Sequence, residues 1–358
     1  MSKLRIGIIG CGGIVRFAHM VSDKANPDVE VVALCDIIRE KAEKMAAQHG
    51  IKDVYENYQD LLKREDIDAV DICTPNFLHS VIAVDAFRAG KHVFCEKPDA
   101  VSVEEVLKMN RAWKESGKVF MVMRNNRFRP DTRFLKKIIQ EGGLGEIYAG
   151  RCGWIRRRGI PGKGGWFTTK AQSGGGPLID LGVHMIDLAI WLMGNPRPVS
   201  VTGSTYCKFA GVPESSDSVH SQFGDAKSDG TFDVEDLAMG FIKFDNGASL
   251  AIEFSWASNI EKEDNFVELR GTRAGASVHS DGKGLQIFGE TAGTLTLTTP
   301  SFPSGNAFQN AHAANLKHFT DVVLKGAAPI FEPEQGVNMI KILTAIYQSA
   351  ETGREVQL

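Results

Sequence analysis

Short apolar runs alternate with amphipathic segments up to about residue 124. The apolar runs show no inside–outside alternation, which is typical of strands buried on both faces of a parallel sheet. They are LRIGIIG, VEVVALCD, AVDICTP, HVFCEKP and VFMVM, and helical patterns such as REKAEKMAAQH and HSVIAVDAFRA separate them. The pattern predicts an α/β Rossmann-type domain with a parallel sheet covered by helices.

After about residue 124 strand-like segments dominate. One helical pattern, DTRFLKKIIQEG, comes first, and the strand-like segments are GEIYAGRCGWIR, PVSVTGSTYC, LAMGFIKFDNGASLAIEFSWA, NFVELRGT, ASVHS, GLQIFG and GTLTLTT. Asn246-Gly247 predicts a two-residue hairpin turn, and the polar stretch 210–232 predicts a long surface excursion. Two helical patterns, NAHAANLKHFTDVVLKG and PEQGVNMIKILTAIYQSAETG, close the chain.

These patterns predict two domains. We expect a first domain over residues 1–124 and a second, α+β domain over 125–358, whose sheet is large, open and mostly antiparallel. The terminal helix is expected to be able to pack back on the first domain. An open sheet with helices on one face leaves an apolar face to cover, which predicts a homodimer or homotetramer.

One helical segment, SGGGPLIDLGVHMIDLAIWLMG, is apolar almost all the way round and is therefore expected to be buried. It nevertheless carries Asp180, His184 and Asp187 at spacings that place them on one stripe. Ionisable groups on a buried helix are costly unless they are paired or line a cavity. The stripe therefore either closes a polar network or faces a site.

Composition narrows the class of protein. The chain has 358 residues, 43% of them hydrophobic, and a net charge of -3, which gives no general attraction for nucleic acid or anionic membranes. No unbroken apolar run approaches the roughly 20 residues of a membrane span, and the N-terminus runs directly into a strand. We expect a cytoplasmic protein with a small-molecule partner. The run Arg156 to Arg158 is a local concentration of positive charge. It is interpreted as a solvated face or as a site for a phosphate-bearing substrate.

The cysteines are scattered without any C-x-x-C pair, so they are expected to be small buried residues in a reducing compartment. They are Cys11, Cys35, Cys73, Cys95, Cys152 and Cys207.

The turn after the first strand, GIIGCGGIV, has the features of a dinucleotide site. Gly10 permits the tight turn, and Gly12 lets the backbone approach a pyrophosphate. The third glycine of G-x-G-x-x-G is replaced by Val15, so the motif alone is weak. Asp36 ends the second strand, where a carboxylate would bind the ribose hydroxyls and repel a 2′-phosphate. This favours NAD, while nearby Arg39 leaves NADP open.

Further candidates follow the later strands of this domain. Ligands of open parallel sheets gather at the carboxyl ends of the strands, where CTPNFLH and CEKP lie. Thr74, Pro75, Asn76 and His79 are candidates for the cofactor's path. Lys97 is the stronger candidate because Pro98 favours an extended backbone before it and Glu96 can balance its charge.

The motifs together resemble the glucose-fructose oxidoreductase, inositol dehydrogenase and rhizopine-catabolism (Gfo/Idh/MocA) family of NAD(P)-dependent sugar and polyol oxidoreductases. The resemblance runs from GIIGCGGI through CTPNFLH, GKHVFCEKP, NNRFRP and GGGPLIDLGVHMIDL to FDNGASL. It implies an NAD(P)-binding Rossmann domain over residues 1–124 joined to a mostly antiparallel α+β domain over 125–358 that binds substrate and forms oligomers, with the sugar held between them. On that model Lys97, Asp180 and His184 take the catalytic positions, and Asn125 and Arg127 lie near nicotinamide and substrate.

The residue pattern and the resemblance together give the complete set of expected contacts. The cofactor contacts are Gly10, Gly12, Gly13, Ile14, Asp36, Thr74, Pro75, Asn76, His79, Glu96, Lys97 and Asn125. The substrate contacts are Lys97, Arg127, Arg157, Trp166, Asp180 and His184. Trp166, in the loop before the buried helix, is a candidate surface for a pyranose face.

Oxidation of a secondary alcohol removes a hydroxyl proton and a hydride from one carbon, and the cofactor accepts the hydride. His184 suits the general base because imidazole titrates near neutrality. Asp180 would orient it or contact a substrate hydroxyl, and Lys97 would stabilise the alkoxide or carry the proton itself. Asp187 is expected in a structural network. No cluster of His or Cys has metal-ligand spacing, so no metal is expected.

The leading hypothesis is an NAD-dependent dehydrogenase of a sugar, glycoside, anhydrosugar or cyclic polyol. The sequence details look most like bacterial members that act on glycosides or anhydrosugars at the C3 hydroxyl. A glycosidase or lyase that uses transient oxidation would need the same residues. A non-catalytic sugar or dinucleotide sensor is the third hypothesis, and the presence of lysine, aspartate and histidine together counts against it.

Overall fold

The structure is a computed structural model that describes residues 3–211, 224–302 and 307–358. The described residues form two compact units. The first unit runs to Asn125 and also contains the segment from residue 307 to Ile340, and the second unit holds the rest. Each unit has its own sheet.

The first unit contains a six-stranded sheet in the order β3-β2-β1-β4-β5-β6, with every neighbouring pair parallel. Its strands are β1 (Leu4–Ile9), β2 (Val29–Cys35), β3 (Asp53–Tyr55), β4 (Ala69–Ile72), β5 (His92–Cys95) and β6 (Phe120–Val122). The predicted Rossmann-type sheet is confirmed. The short edge strand β3 is not evident in the sequence because its three residues form no apolar run.

The helices of this unit follow the strands. They are α1 (Met20–Ala25), α2 (Arg39–His49), α3 (Tyr58–Leu62), α4 (His79–Arg88) and α5 (Val103–Ser116), with a π-helical turn at Val15–His19 and a 3-10 turn at Asn76–Leu78. Ser102 caps the N-terminus of α5, since its side chain accepts the Glu105 amide N–H at 3.2 Å. Gly50 ends α2 in the left-handed conformation that favours glycine.

Two helices near the C-terminus are α9 (Ala307–Lys325) and α10 (Pro333–Thr352), and α10 begins in the first unit. In that unit Leu316 and Phe319 of α9 belong to the buried core together with Leu4 and Met20. The Phe319 ring lies 5.4 Å from the ring of Phe94 on β5. Apolar burial therefore holds α9 on the Rossmann-type sheet.

The second unit contains a nine-stranded sheet in the order β14-β13-β12-β11-β7-β10-β9-β8-β15. Its strands are β7 (Ile147–Ile155), β8 (Pro198–Tyr206), β9 (Leu237–Phe244), β10 (Ser249–Ser255), β11 (Asp264–Gly271), β12 (Gly275–His279), β13 (Gly284–Thr291), β14 (Thr294–Thr298) and β15 (Val356–Gln357). The β7–β10 pair is parallel and the other described pairs are antiparallel, which confirms the predicted mostly antiparallel sheet.

The β9–β10 hairpin is present, but the predicted two-residue turn is wrong. The strands end at Phe244 and resume at Ser249, and Gly247 has φ of 84° while Asn246 does not have a positive φ. Asn246 instead accepts the Ala248 amide N–H through Oδ1 at 3.1 Å. Of the predicted excursion 210–232, residues 212–223 lie outside the described residues, and 224–231 are exposed.

The helices of the second unit include α6 (Pro130–Gln140), α7 (Lys170–Ser173) and α8 (Val183–Leu192), with a 3-10 turn at Trp166–Thr168. A further 3-10 turn, Asn125–Phe128, has its first residue in the first unit and the others in the second. The predicted buried helix is a π-helical turn, Leu178–Gly182, that continues into α8. The segment Lys170–Leu192 is long and apolar enough to span a membrane by composition, but 83% of its apolar window is buried inside the protein. That burial is the property of a core helix.

Candidate active site

The glycine turn after β1 has the open backbone that a pyrophosphate requires. Gly10 has φ of 96°, and a Cβ there would lie 2.4 Å from the Cys73 carbonyl oxygen. A Cβ on Gly12 would meet no atom within 4 Å, so the space beside its backbone is free of protein. Gly13 and Ile14 follow and lead into the π-helical turn. The turn therefore fits a dinucleotide phosphate at Gly12.

Asp36, directly after β2, is hydrogen-bonded to the backbone of this glycine turn. Its Oδ2 accepts the Cys11 amide N–H and its Oδ1 accepts the Ile38 amide N–H, both at 2.8 Å. The carboxylate is half-buried, and a carboxylate can accept further hydrogen bonds from ribose hydroxyls. Arg39 donates to Glu43 at 2.7 Å, so its charge is already balanced. The arrangement fits NAD better than a 2′-phosphate.

The candidate cofactor residues that follow β4 differ in their exposure to solvent. Thr74 and Pro75 are half-buried, and Pro75 precedes the 3-10 turn that begins at Asn76, a residue 6% exposed. His79 is fully buried, with Nδ1 2.7 Å from the Pro98 carbonyl oxygen and Nε2 2.9 Å from that of Thr74. Burial lowers the pKa of His79. The structure places His79 beneath the turn at Pro98, and its contact with the cofactor stays a prediction.

Lys97 follows β5 at the carboxyl end of the sheet. It is half-buried, whereas every other residue from Val93 to Ala100 is buried. Its amide N–H donates to Glu96 Oε2 at 3.1 Å. The peptide bond between Lys97 and Pro98 is cis. The structure therefore presents Lys97 at the surface of a turn that is otherwise part of the core.

The strand order places the predicted cofactor residues along one edge. The carboxyl ends of β2, β1, β4 and β5 are neighbours in the parallel sheet. Asp36, Gly10, Thr74 and Lys97 follow these ends. The sheet thus brings together residues from four separate predicted motifs.

The sequence reasoning missed two buried residues of the first unit. His19 Nδ1 lies 2.6 Å from Asp71 Oδ2, and His19 Nε2 lies 2.7 Å from Glu96 Oε1. All three side chains are buried. The available signal was Asp71, an aspartate inside the otherwise apolar strand AVDI, because a carboxylate in a buried strand requires a partner.

In the second unit, Asp180 and His184 are more exposed to solvent than the helical residues around them. From Leu178 to Ala189 these two residues are half-buried and every other residue is buried. The Trp256 indole N–H donates to Asp180 Oδ2 at 3.0 Å. The His184 ring centroid lies 6.0 Å from the ring of Trp154. The helix therefore presents a carboxylate and an imidazole one turn apart beside aromatic side chains.

Arg156 belongs to the same cluster. Its guanidinium lies 5.1 Å from the centroid of the Trp154 ring and donates to the Gly159 carbonyl at 3.0 Å. Burial lowers the pKa of Arg156, and the charge of Asp180 opposes that effect. Arg156 is thus a half-buried cation near Asp180, which corrects its interpretation as part of a solvated face.

The glycines before this helix allow a close approach by neighbouring groups. A Cβ on Gly175 would lie 2.0 Å from the Tyr347 hydroxyl, and a Cβ on Gly176 would lie 2.0 Å from the Glu235 carbonyl oxygen. The buried Glu235 carboxylate accepts the amide N–H of Gly176 at 2.9 Å and the Tyr347 hydroxyl at 2.8 Å. A carboxylate at this position satisfies backbone donors at the start of the helical segment.

Asp187 is the network member that the sequence predicted. It accepts two hydrogen bonds from Arg127, Nε to Oδ2 at 2.8 Å and Nη2 to Oδ1 at 2.7 Å. Arg127 is 1% exposed and Asp187 is 4% exposed. The structure places Arg127 in a buried ion pair that holds α8, and its contact with substrate stays a prediction. Asn125, at the start of the same 3-10 turn as Arg127, is 6% exposed.

The remaining candidates stay predictions. Arg157 is exposed, and its amide N–H donates to Glu263 Oε1 at 2.8 Å. Trp166 is half-buried and stacks on Phe167 with ring centroids 3.8 Å apart. Five cysteines are buried as expected, but Cys207 is exposed, which corrects the prediction for that residue. All six are free thiols.

Comparison with known proteins identifies both parts of the chain. The model for the oxidoreductase family with an NAD-binding Rossmann fold, GFO_IDH_MocA, matches residues 4–124. The model for its C-terminal alpha/beta domain matches residues 136–358. These matches confirm the resemblance carried by the motifs.

Individual relatives agree with the family models. The chain is 35% identical to D-glucoside 3-dehydrogenase of Escherichia coli (strain K12), over 100% of this chain and 98% of that protein. It is 32% identical to levoglucosan dehydrogenase of Pseudarthrobacter phenanthrenivorans, over 76% of this chain and 72% of that protein. A solved structure of levoglucosan dehydrogenase with NADH superposes with a TM-score of 0.87 at 26% identity, covering 99% of both chains. The chain belongs to the Gfo/Idh/MocA family of oxidoreductases, with an NAD-binding Rossmann fold as its first domain.

Proposed function

We propose that this protein is an NAD-dependent dehydrogenase that oxidises a secondary hydroxyl of a sugar, glycoside, anhydrosugar or cyclic polyol. The observation that carries the proposal is the selective exposure of Asp180 and His184 on a helix whose neighbouring residues are all buried. The names of the two relatives above, which act on a glucoside and on levoglucosan, support a glycoside or anhydrosugar as substrate. The glucoside relative further favours the C3 hydroxyl.

NAD, when bound, supplies the hydride acceptor. His184 takes the hydroxyl proton on an imidazole nitrogen, since imidazole titrates near neutral pH. Asp180 orients the substrate or the imidazole and is itself oriented by the Trp256 indole N–H. The Lys97 ammonium stabilises negative charge that develops on the substrate oxygen.

We propose NAD over NADP as the working cofactor. The Asp36 carboxylate stands at the end of β2, where it would repel a 2′-phosphate. Arg39, the nearby cation that could offset this repulsion, is paired with Glu43. The Asp36 carboxylate can therefore accept hydrogen bonds from the ribose hydroxyls, and its negative charge disfavours a 2′-phosphate.

We also propose a cytoplasmic homo-oligomer that associates through the large sheet of the second unit. Three large side chains lie on one face of neighbouring strands: Tyr206 on β8 is 44% exposed, and Met239 and Phe241 on β9 are 44% and 39% exposed. In the β8–β9 register Ser204 pairs with Met239 and Tyr206 with Leu237, which places these residues on the same face. An exposed apolar strip of this kind favours a protein interface, and six free cysteines favour a reducing compartment. Sedimentation velocity of Phe241→Glu and the wild type tests the interface.

The function is tested by following NADH and NADPH formation with inositols, aldoses, glycosides and anhydrosugars. We expect NADH to accumulate with a glycoside or anhydrosugar, and much less NADPH. Release of the aglycone without accumulation of NADH would replace the proposal with transient oxidation by a glycosidase or lyase. Tight NAD binding without turnover across the whole panel would indicate a sensor.

A further inference from the structure

The turn that carries Lys97 is bonded on both sides to buried basic side chains. On the N-terminal side, Glu96 accepts His19 Nε2 through Oε1 at 2.7 Å and the Lys97 amide N–H through Oε2 at 3.1 Å. One carboxylate thus connects the fully buried His19 with the backbone of Lys97. The side chain of His19 comes from the π-helical turn that follows the glycine turn.

His19 is held as an imidazolium. Its second nitrogen, Nδ1, lies 2.6 Å from Asp71 Oδ2, so each ring nitrogen faces a carboxylate oxygen. Ionised carboxylates only accept hydrogen bonds, and both ring nitrogens can donate only when the ring is protonated. Burial opposes the charge, but Asp71 and its hydrogen bond outweigh burial and raise the pKa of His19 well above its ordinary value. The His19 contacts lower the pKa of Glu96 despite its burial.

The C-terminal side of the turn has a second anchor. Arg124 Nη2 donates to Asp99 Oδ2, and these residues are 3% and 0% exposed. The backbone N–H of Arg124 donates to Asn315 Oδ1 on α9 at 2.7 Å. The Pro98 carbonyl, between Lys97 and Asp99, lies 2.7 Å from His79 Nδ1. Contacts from the glycine-turn side, from α4 and from the segment that follows β6 thus fix consecutive residues of this turn.

We propose that His19 and Arg124 are positioning residues for Lys97: through Glu96 and Asp99 they hold the backbone on either side of the lysine. Displacing the turn would leave buried carboxylates without their cations, which is strongly unfavourable. The arrangement keeps the lysine backbone in one place while its half-buried side chain remains available. Catalytic groups require such support because a displacement of about 1 Å can cost about 100-fold in rate. The inference rests on the proposed role of Lys97.

The test uses His19→Gln and Arg124→Lys in the full-length protein. Gln can replace only some of the hydrogen bonds that His19 makes to Asp71 and Glu96. Lys keeps the charge of Arg124 but not its planar geometry. We expect His19→Gln to lower kcat by about 10- to 100-fold while the Kd for NAD changes less than about threefold. Arg124→Lys should lower kcat by a smaller factor, about threefold to tenfold.

Amide hydrogen exchange supplies a readout independent of turnover. The Lys97 N–H is protected by Glu96 Oε2, so its exchange should accelerate at least about tenfold in His19→Gln if His19 fixes Glu96. Asp71→Asn is the second variant, used if His19→Gln does not fold, because it weakens the hold on His19 without changing Glu96. We expect the same faster exchange and a lower kcat in Asp71→Asn.

Lys91→Met is the matched control. Lys91 is 6% exposed and donates to the carbonyls of Arg64 and Ile67, at the opposite end of β5 from Lys97. Its loss should lower the melting temperature but leave kcat and Lys97 exchange unchanged. Wild-type kcat and exchange in a folded His19→Gln variant would overturn the inference, as would equal effects from Lys91→Met. If the wild type turns over no substrate, the proposed function fails, and Lys97 exchange alone decides whether His19 fixes the turn.

Discussion

The indole N–H of Trp256 donates to Oδ2 of Asp180 at 3.0 Å, joining the end of β10 to the helical segment that carries the candidate catalytic pair. Trp256 is fully buried, so this bond fixes one carboxylate oxygen from inside the protein. The other oxygen can then face a substrate in a defined direction. The relationship gives Asp180 a fixed orientation relative to His184, one turn further along.

Trp256→Phe should therefore lower kcat by about 10- to 100-fold, the range expected for losing a hydrogen bond to a charged group. Steady-state kinetics of Trp256→Phe, Asp180→Asn and the double variant measures the coupling between the two residues. We expect the effect of Trp256→Phe to shrink markedly in the Asp180→Asn background. Fully additive effects would show that Trp256 acts through packing and not through Asp180.

The glycine turn gives a paired test of cofactor binding. Gly12→Ala adds a methyl group to open space, so we expect wild-type stability within about 0.5 kcal/mol and a Kd for NAD raised at least about tenfold. Gly10→Ala places its methyl group 2.4 Å from the Cys73 carbonyl oxygen at a φ of 96°, and should be destabilised by more than about 1 kcal/mol. Calorimetric NAD binding and chemical denaturation measure both. Unchanged NAD affinity in Gly12→Ala would remove the turn from the cofactor site.

The buried pair Arg127–Asp187 predicts a strong dependence of stability on each partner. Arg127→Met leaves Asp187 buried without its cation and should lower the free energy of unfolding by about 3–5 kcal/mol. The double variant Arg127→Met/Asp187→Leu should recover to within about 1 kcal/mol of wild type. Urea denaturation measures these values. Wild-type stability of Arg127→Met with a raised KM would support the substrate contact that the sequence predicted.

Asp23 predicts a pH dependence of stability. Burial, together with the charge of Asp71, raises the pKa of Asp23 from 3.8 to about 8, and the charge of His19 opposes this. The unfolded chain ionises this carboxyl at lower pH than the folded protein does. The stability that Asp23 contributes is therefore fully present below its unfolded pKa and is lost as pH rises toward about 8.

Asp23→Asn removes this titration. Its free energy of unfolding relative to wild type should increase between pH 5 and 8, by at most about 1.4 kcal/mol per pH unit. Urea denaturation at several pH values measures the difference. A constant difference across this range would show that Asp23 is ionised in the folded protein.

The sequence predicts the parts of this fold that depend on local pattern. The parallel strands, the Ser102 cap and the paired Asp180 and His184 are readable because apolar periodicity and capping chemistry are local properties. The Arg127–Asp187 ion pair is not evident in the sequence, because local pattern cannot show that the two side chains lie within hydrogen-bond distance. His19 was missed for the same reason, since its partners Asp71 and Glu96 come from two later strands.

We propose that Lys97 and His184 act in the oxidation itself and do not merely support the fold. Initial rates of NADH formation from a glycoside, measured beside the Kd for NAD in wild type, Lys97→Ala and His184→Ala, test it most directly. We expect each substitution to lower kcat by at least about 100-fold while the Kd for NAD changes less than about threefold. Equal losses of turnover and NAD affinity, or near wild-type turnover in both variants, would contradict the account.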